Sequence, residues 1–191
     1  MEKCEWAKTS EKMEHYHDEV WGVPVYEDRL LFRKLVLDIN QAGLSWQTIL
    51  NKAEAFDTAF DFFDIDKVAF YDEKKIIELL ENPEIIRNRR KIEAAIHNAR
   101  IVQKIQKEHG SFSVYLWRFV DYQPLDMKRS KLNPPVVTNE LSDEISAAMK
   151  KDGFKFIGST IIYAYLQAVG IINDHVIECW RHDEIQNLVK G

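Results

Sequence analysis

Apolar residues recur at helical spacing along almost the whole chain, and this period constrains the fold more than any other feature of it. Leu31, Phe32, Leu35, Val36 and Ile39 draw one apolar face over residues 28–40. Ile85, Ile92, Ile96, Ala99, Val102 and Ile105 do the same among Arg and Lys, which predicts a long amphipathic helix over 85–108. Phe112, Tyr115, Leu116, Phe119 and Val120 predict another, as do Leu141, Ile145, Ala148 and Met149, and then Ile161, Ala164, Tyr165, Ala168 and Val169. Residues 23–25 and 136–137 alone look strand-like, and both lie beside proline. Loops are expected at 22–26, 81–84, 121–140 and 153–159. The fold class read from this pattern is all-α.

Composition narrows the function. A chain of 191 residues is one compact domain, 1–191, or two lobes sharing a core. Its 46% hydrophobic content excludes intrinsic disorder. No stretch approaches the ~18 apolar residues that span a bilayer, so no membrane partner is expected. The opening residues lack the apolar core of a secretory signal, and the expected location is the cytoplasm. A net charge of −5 argues against a non-specific basic nucleic-acid binder, but leaves room for a local basic face. The 2 cysteines are too few for a disulfide framework and read as free thiols or metal ligands.

Three constellations could carry chemistry. The first joins the ends of the chain: His175 and Cys179 are spaced to share one face of a helix, and Cys4 and His17 lie at the other end. Together they make a complete tetrahedral zinc set with no open position, hence a structural one. Two buried thiols beside surface histidines would give the same spacing. The second is the run around 150–170. Gly153 is a natural left-handed helix stop. A short turn follows to Gly158, and Ser159 or Thr160 is placed to cap the next helix. The free N–H groups of that helix, near Lys150, Lys151 and Lys155, would suit a phosphate; a plain αα-hairpin with solvated lysines is the other reading. The third is 37–50, where Asp38, Asn40, Gln41 and Trp46 could line a pocket for a flat ligand, with Tyr16 and Trp6 as further rings. Helix capping by Asp38 or Ser45 and core packing by Trp46 are the alternatives.

These constellations, in this order, resemble the 3-methyladenine DNA glycosylase I family of bacteria. Cys4, Trp6, YHDEVWGVP (16–24), QAGLSW (41–46), GFKFIGST (153–160) and NDHVIEC (173–179) carry the likeness, which spans the chain from Cys4 to Cys179. The resemblance implies a helix-hairpin-helix glycosylase fold, two helical lobes around a cleft, with the helix-hairpin-helix at about 141–170 and a structural Zn2+ on Cys4, His17, His175 and Cys179 joining the termini. It implies Asp38 as the catalytic acid of the base pocket, with Trp6, Tyr16 and Trp46 binding the base. It implies Gly153, Lys155, Gly158, Ser159 and Thr160 on the DNA backbone. The implied activity is hydrolysis of the N-glycosidic bond of N3-methyladenine in double-stranded alkylated DNA, by a monomer, through base flipping and without strand cleavage. A zinc-stapled DNA-binding module without turnover is the rival. Two positions depart from the family pattern: Asp38 replaces the usual glutamate, and Met13 stands where an aromatic is common.

Overall fold

The computed structural model describes residues 2–188. A 3-10 turn over Glu5–Thr9 leads into α1 (Glu11–Glu19), α2 (Asp28–Gln41) and α3 (Trp46–Ala59). Short helices α4 (Ile65–Ala69) and α5 (Glu73–Glu81) precede the longest, α6 (Arg89–His109), and α7 (Phe112–Trp117). After a long connection come α8 (Glu140–Asp152) and α9 (Ser159–Ala168), then α10 (Trp180–Leu188). No helix among the described residues is long and apolar enough to cross a membrane.

Helix α2 is the axis of the core. Leu31, Phe32, Leu35, Val36, Leu37 and Ile39 are all buried, which covers more than one face. That is possible because α3, α6, α7 and α9 surround the helix. The same enclosure carries Asp38 and Lys34 indoors, where only ligands or each other can answer their charge.

The expected helix over 85–108 begins at Arg89. Asn88 takes the N-cap, its side chain accepting from Lys91 N at 3.2 Å, and Ile85 enters the core from the preceding turn instead. Residues 23–25 and 136–137 are not strands. The single pairing among the described residues is parallel, β1 (Leu125–Asp126) on β2 (Ile172–Asn173), with Leu125 opposite Ile172. The 22–25 segment is pinned elsewhere: Gly22 N and Val25 N donate to the carbonyls of Gln167 and Val169, at the end of α9. Gly170, at φ +74°, allows this crossing, since a Cβ there would stand 2.5 Å from Pro24 N.

The turn between α8 and α9 is tightly held. Gly153, at φ +103°, ends α8 in the left-handed conformation, as its sequence position predicts. Phe154 and Ile157 tuck inward while Lys155 and Phe156 face out. Asn98 of α6 grips the exposed stretch, accepting from Lys155 N at 2.8 Å and donating to its carbonyl at 3.0 Å. Neither Ser159 nor Thr160 caps α9. Gly158 holds that position without a side chain, and the Ser159 hydroxyl bonds that of Ser142 at 2.8 Å instead.

Candidate functional site

The two ends of the chain meet in a buried cluster. Cys4, His17, His175 and Cys179 are each no more than 2% exposed, and their ligand atoms all lie within 4.8 Å of one another. Cys179 Sγ is 3.4 Å from His17 Nε2, and His175 Nδ1 is 3.8 Å from both sulfurs. A tetrahedron with Zn–N near 2.0–2.1 Å and Zn–S near 2.3 Å has edges of about 3.3–3.8 Å, so the donors are spaced to hold such an ion. The outward-facing ring nitrogens are also satisfied in the way metal-binding histidines require. His17 Nδ1 donates to Asp18 Oδ1 at 2.8 Å, and His175 Nε2 to the Trp21 carbonyl at 3.2 Å. Cys179 is held toward thiolate by Cys4, His17 and His175, whereas Cys4, beside that sulfur and buried, is pushed up. A cation would remove this asymmetry by stabilising both thiolates. His175 and Cys179 do not share a helix as their spacing suggests. They sit in a turn closed by Cys179 N donating to the Val176 carbonyl at 2.7 Å, and α10 starts one residue later.

The cluster backs directly onto an aromatic wall. The Trp21 ring lies 4.6 Å from that of His175, Trp6 lies 5.0 Å from Trp21 and 5.3 Å from His17, and Tyr16 lies 5.2 Å from Trp46. Trp6, Tyr16 and Trp46, brought from three elements, face one cavity of about 590 Å3. Met13 lines it too, a thioether beside the rings.

Asp38 reaches this cavity from the third turn of α2, so it caps nothing. It is 4% exposed, and its Oδ2 has no hydrogen-bond partner among the described residues. Burial pushes its carboxyl up to about 8, against the pull of the Lys34 charge. A buried acceptor left unpartnered is costly unless a ligand donates to it. The Trp46 indole N–H is likewise buried and unpartnered, whereas Ser45 does what the alternative reading of this segment foresaw and caps α3.

Across the cavity stands a group that no sequence pattern announces. Arg129, from the long connection before α8, donates to Asp174 Oδ1 at 3.1 Å and to its carbonyl at 2.9 Å. Gln167 donates to Asp174 Oδ2 at 2.6 Å. Asp174 therefore faces the cleft with both oxygens engaged. The signal available in the sequence was the cluster of basic residues in that loop, whose target lay 45 positions away.

Gly153, Lys155, Gly158, Ser159 and Thr160 come together on the α8–α9 turn, apart from the cavity-lining set. Of these, Lys155 and Thr160 are exposed.

A wall of rings facing an unpartnered carboxyl oxygen in a helical protein is chemistry that suits a flat heterocycle with hydrogen-bond donors on its edge. Comparison with known proteins makes the class specific. The profile of the methyladenine glycosylase family matches residues 6–182. DNA-3-methyladenine glycosylase 1 of Escherichia coli (strain K12) is 40% identical over 179 residues, covering 94% of this chain and 96% of its own. A crystal structure of 3-methyladenine DNA glycosylase I superposes with a TM-score of 0.90 at 40% identity, over 94% of this chain and 98% of that one. A Tyr-to-Phe variant of such an enzyme, solved in complex with 3-methyladenine, gives a TM-score of 0.90 at 34% identity, over 94% and 97%. The chain belongs to the methyladenine glycosylase family and is a DNA glycosylase by class.

Proposed function

We propose that the protein excises N3-methyladenine from alkylated double-stranded DNA as a monofunctional glycosylase, acting as a monomer in the cytoplasm. The observation that carries this reading is the Asp38 carboxylate, open and buried beside Tyr16 and Trp46 in a cavity sized for a base. The damaged nucleotide would leave the stack and enter that cavity, at a cost of a few kcal/mol that is smaller for a damaged base. Methylation gives the attached base a positive charge. The faces of Tyr16 and Trp46 favour it over neutral adenine by about 0.5–2 kcal/mol per contact. Asp38 accepts an N–H of the base edge and favours the same charge.

In the chemical step, a water oxygen bonds C1′ of the sugar as the C1′–N9 bond breaks. The bonding electrons move into the base and neutralise it, and the water proton is released to solvent. The base leaves readily because it departs uncharged, so strong acid catalysis is not needed. Asp174, its oxygens taken up by Arg129 and Gln167, holds the wall opposite Asp38 in place.

Two structural parts support the reading. Cys4, His17, His175 and Cys179 would hold a structural Zn2+, which clips Trp6 and Tyr16 into the cavity wall. The α8–α9 pair would act as a helix-hairpin-helix, about 141–170, on the DNA backbone. Its uncapped α9 N-terminus and Gly158, where a Cβ would meet nothing within 4 Å, leave room for a phosphate. The test is chromatography of free bases released from methylated duplex DNA. Release of 3-methyladenine, reduced by Asp38→Asn and Trp46→Ala, is expected. No release from folded, zinc-loaded protein would overturn the proposal.

A further inference from the structure

The geometry points to Lys34 as the counter-charge of Asp38: a positioning residue one helical turn before it, behind the aromatic wall, that lets this short buried acid ionise and receive a cationic base. The inference rests on the excision reading above.

Lys34 is only 9% exposed, yet no oxygen among the described residues accepts a hydrogen bond from it. Its Nζ lies 5.8 Å from the centre of the Tyr16 ring. It lines a second cavity of about 410 Å3 that shares Tyr16 and Trp46 with the first. The two cavities thus stand back to back, with Asp38 facing one and Lys34 the other. A spacing of i, i+4 on α2 puts both side chains on one face. A largely buried ammonium with no protein acceptor, reaching solvent only through the rear cavity, is poorly solvated, so its presence calls for a charge that it serves.

The surroundings leave Asp38 as that charge. Arg33 on α2 is committed to Asp57 on α3, at 2.5 and 2.8 Å. Glu11, Lys12 and His15 of α1 and Glu54 of α3 border the rear cavity but are exposed, and solvent screens them. Burial keeps the Tyr16 and Tyr165 hydroxyls, which face the pair from α1 and α9, well above the usual phenol range and therefore neutral. Asp174 and Arg129 on the far wall satisfy each other. Burial pushes Asp38 up to about 8 and Lys34 down to about 8, each opposed by the charge of the other. Removing the ammonium would therefore move Asp38 further up and leave it a neutral acid at working pH.

The experiment measures kcat/KM for 3-methyladenine release against pH in the wild type, Lys34→Met, Lys34→Arg, Asp38→Asn and the Lys34→Met/Asp38→Asn double variant. Lys34→Met is expected to shift the acidic limb up by about one pH unit, a tenfold loss on that limb that recovers at higher pH. Lys34→Arg should restore the wild-type limb. In the Asp38→Asn background, Lys34→Met should change nothing further, because its effect passes through Asp38. An unshifted limb in Lys34→Met, or an equal loss in both backgrounds, would overturn the inference. Carboxyl-13C titration of Asp38 in the wild type and Lys34→Arg, with the Lys34 amine followed alongside, gives a readout free of activity. Coupled titration of the two groups is expected, and a Lys34 that titrates at its ordinary value near 10.4 also overturns it. A wild type that releases no base would count against the excision reading, while the titration would still decide the Lys34–Asp38 link.

Discussion

The sulfur of Cys179 lies 3.4 Å from His17 Nε2 across 162 residues of chain. Because Trp6 and Tyr16 flank this junction, a metal clip there would also fix two walls of the aromatic cavity. Purified protein is expected to carry one equivalent of zinc by elemental analysis. Chelation, or Cys179→Ser, should lower the melting temperature by about 10 °C or more, given the folding free energy that structural zinc supplies. Activity should fall with it. A chelated protein that melts unchanged would show that the cluster is not a metal clip.

The Tyr16 and Trp46 rings meet at 5.2 Å, tilted by 47°, and form the partition between the two cavities. Trp46→Ala should reduce kcat/KM by about 10- to 100-fold, the worth of about 1–3 kcal/mol of stacking per base. Stability should change less than for a core tryptophan, because Trp46 is only half-buried. Excision assays and thermal melts on the same sample separate the two effects.

The pH dependence follows from the raised carboxyl of Asp38, at about 8. In the proposed reaction the carboxylate is the form that accepts from the base, so kcat/KM should rise with pH toward that value and fall below it. A profile with its acidic midpoint near 4 would contradict the assignment. Stability runs the other way. A raised carboxyl contributes most below its unfolded value and loses that contribution as pH climbs through the folded one.

The Lys34/Asp38 pair places two poorly answered charges inside the core. Lys34 is depressed and Asp38 raised, so both penalties are near full at about pH 8. Replacing the pair with Met and Asn should stabilise the protein by about 1–4 kcal/mol, read as an upward shift of the thermal melt at pH 8. The same double variant should release base no faster than Asp38→Asn alone.

At the α8–α9 turn, Gly158 has φ −61° and open space around it, so the fold does not demand glycine there. Gly158→Ala should leave the melting temperature unchanged while weakening DNA binding on the order of tenfold, about one charge-assisted hydrogen bond to a phosphate. Gly153→Ala, at φ +103°, should instead destabilise the fold. Fluorescence anisotropy with a duplex, beside thermal melts, checks both.

Helical spacing by itself located α2, α6, α7, α8 and α9, though not all of their ends, and did not mark α1, α4, α5 or α10. It located those five because an amphipathic stripe is a local property of about ten to twenty residues. The Gly153 stop and the Ser45 cap were legible for the same reason. Residue type and order along the chain also pointed to Cys4, His17, His175 and Cys179 as one set, although not to the turn that orients His175 and Cys179. What only the tertiary structure decided depends on distance through space. The start of α6 at Arg89 follows from a competing cap, and the β1–β2 pairing joins residues 47 positions apart along the chain, as Leu125 and Ile172. The Arg129–Asp174–Gln167 network and the burial of Lys34 behind Tyr16 leave no periodic trace. A single charged residue in an apolar helix reads the same whether it faces water or the core. Only the helices packed around α2 settle which, and with it the charge that Asp38 can carry.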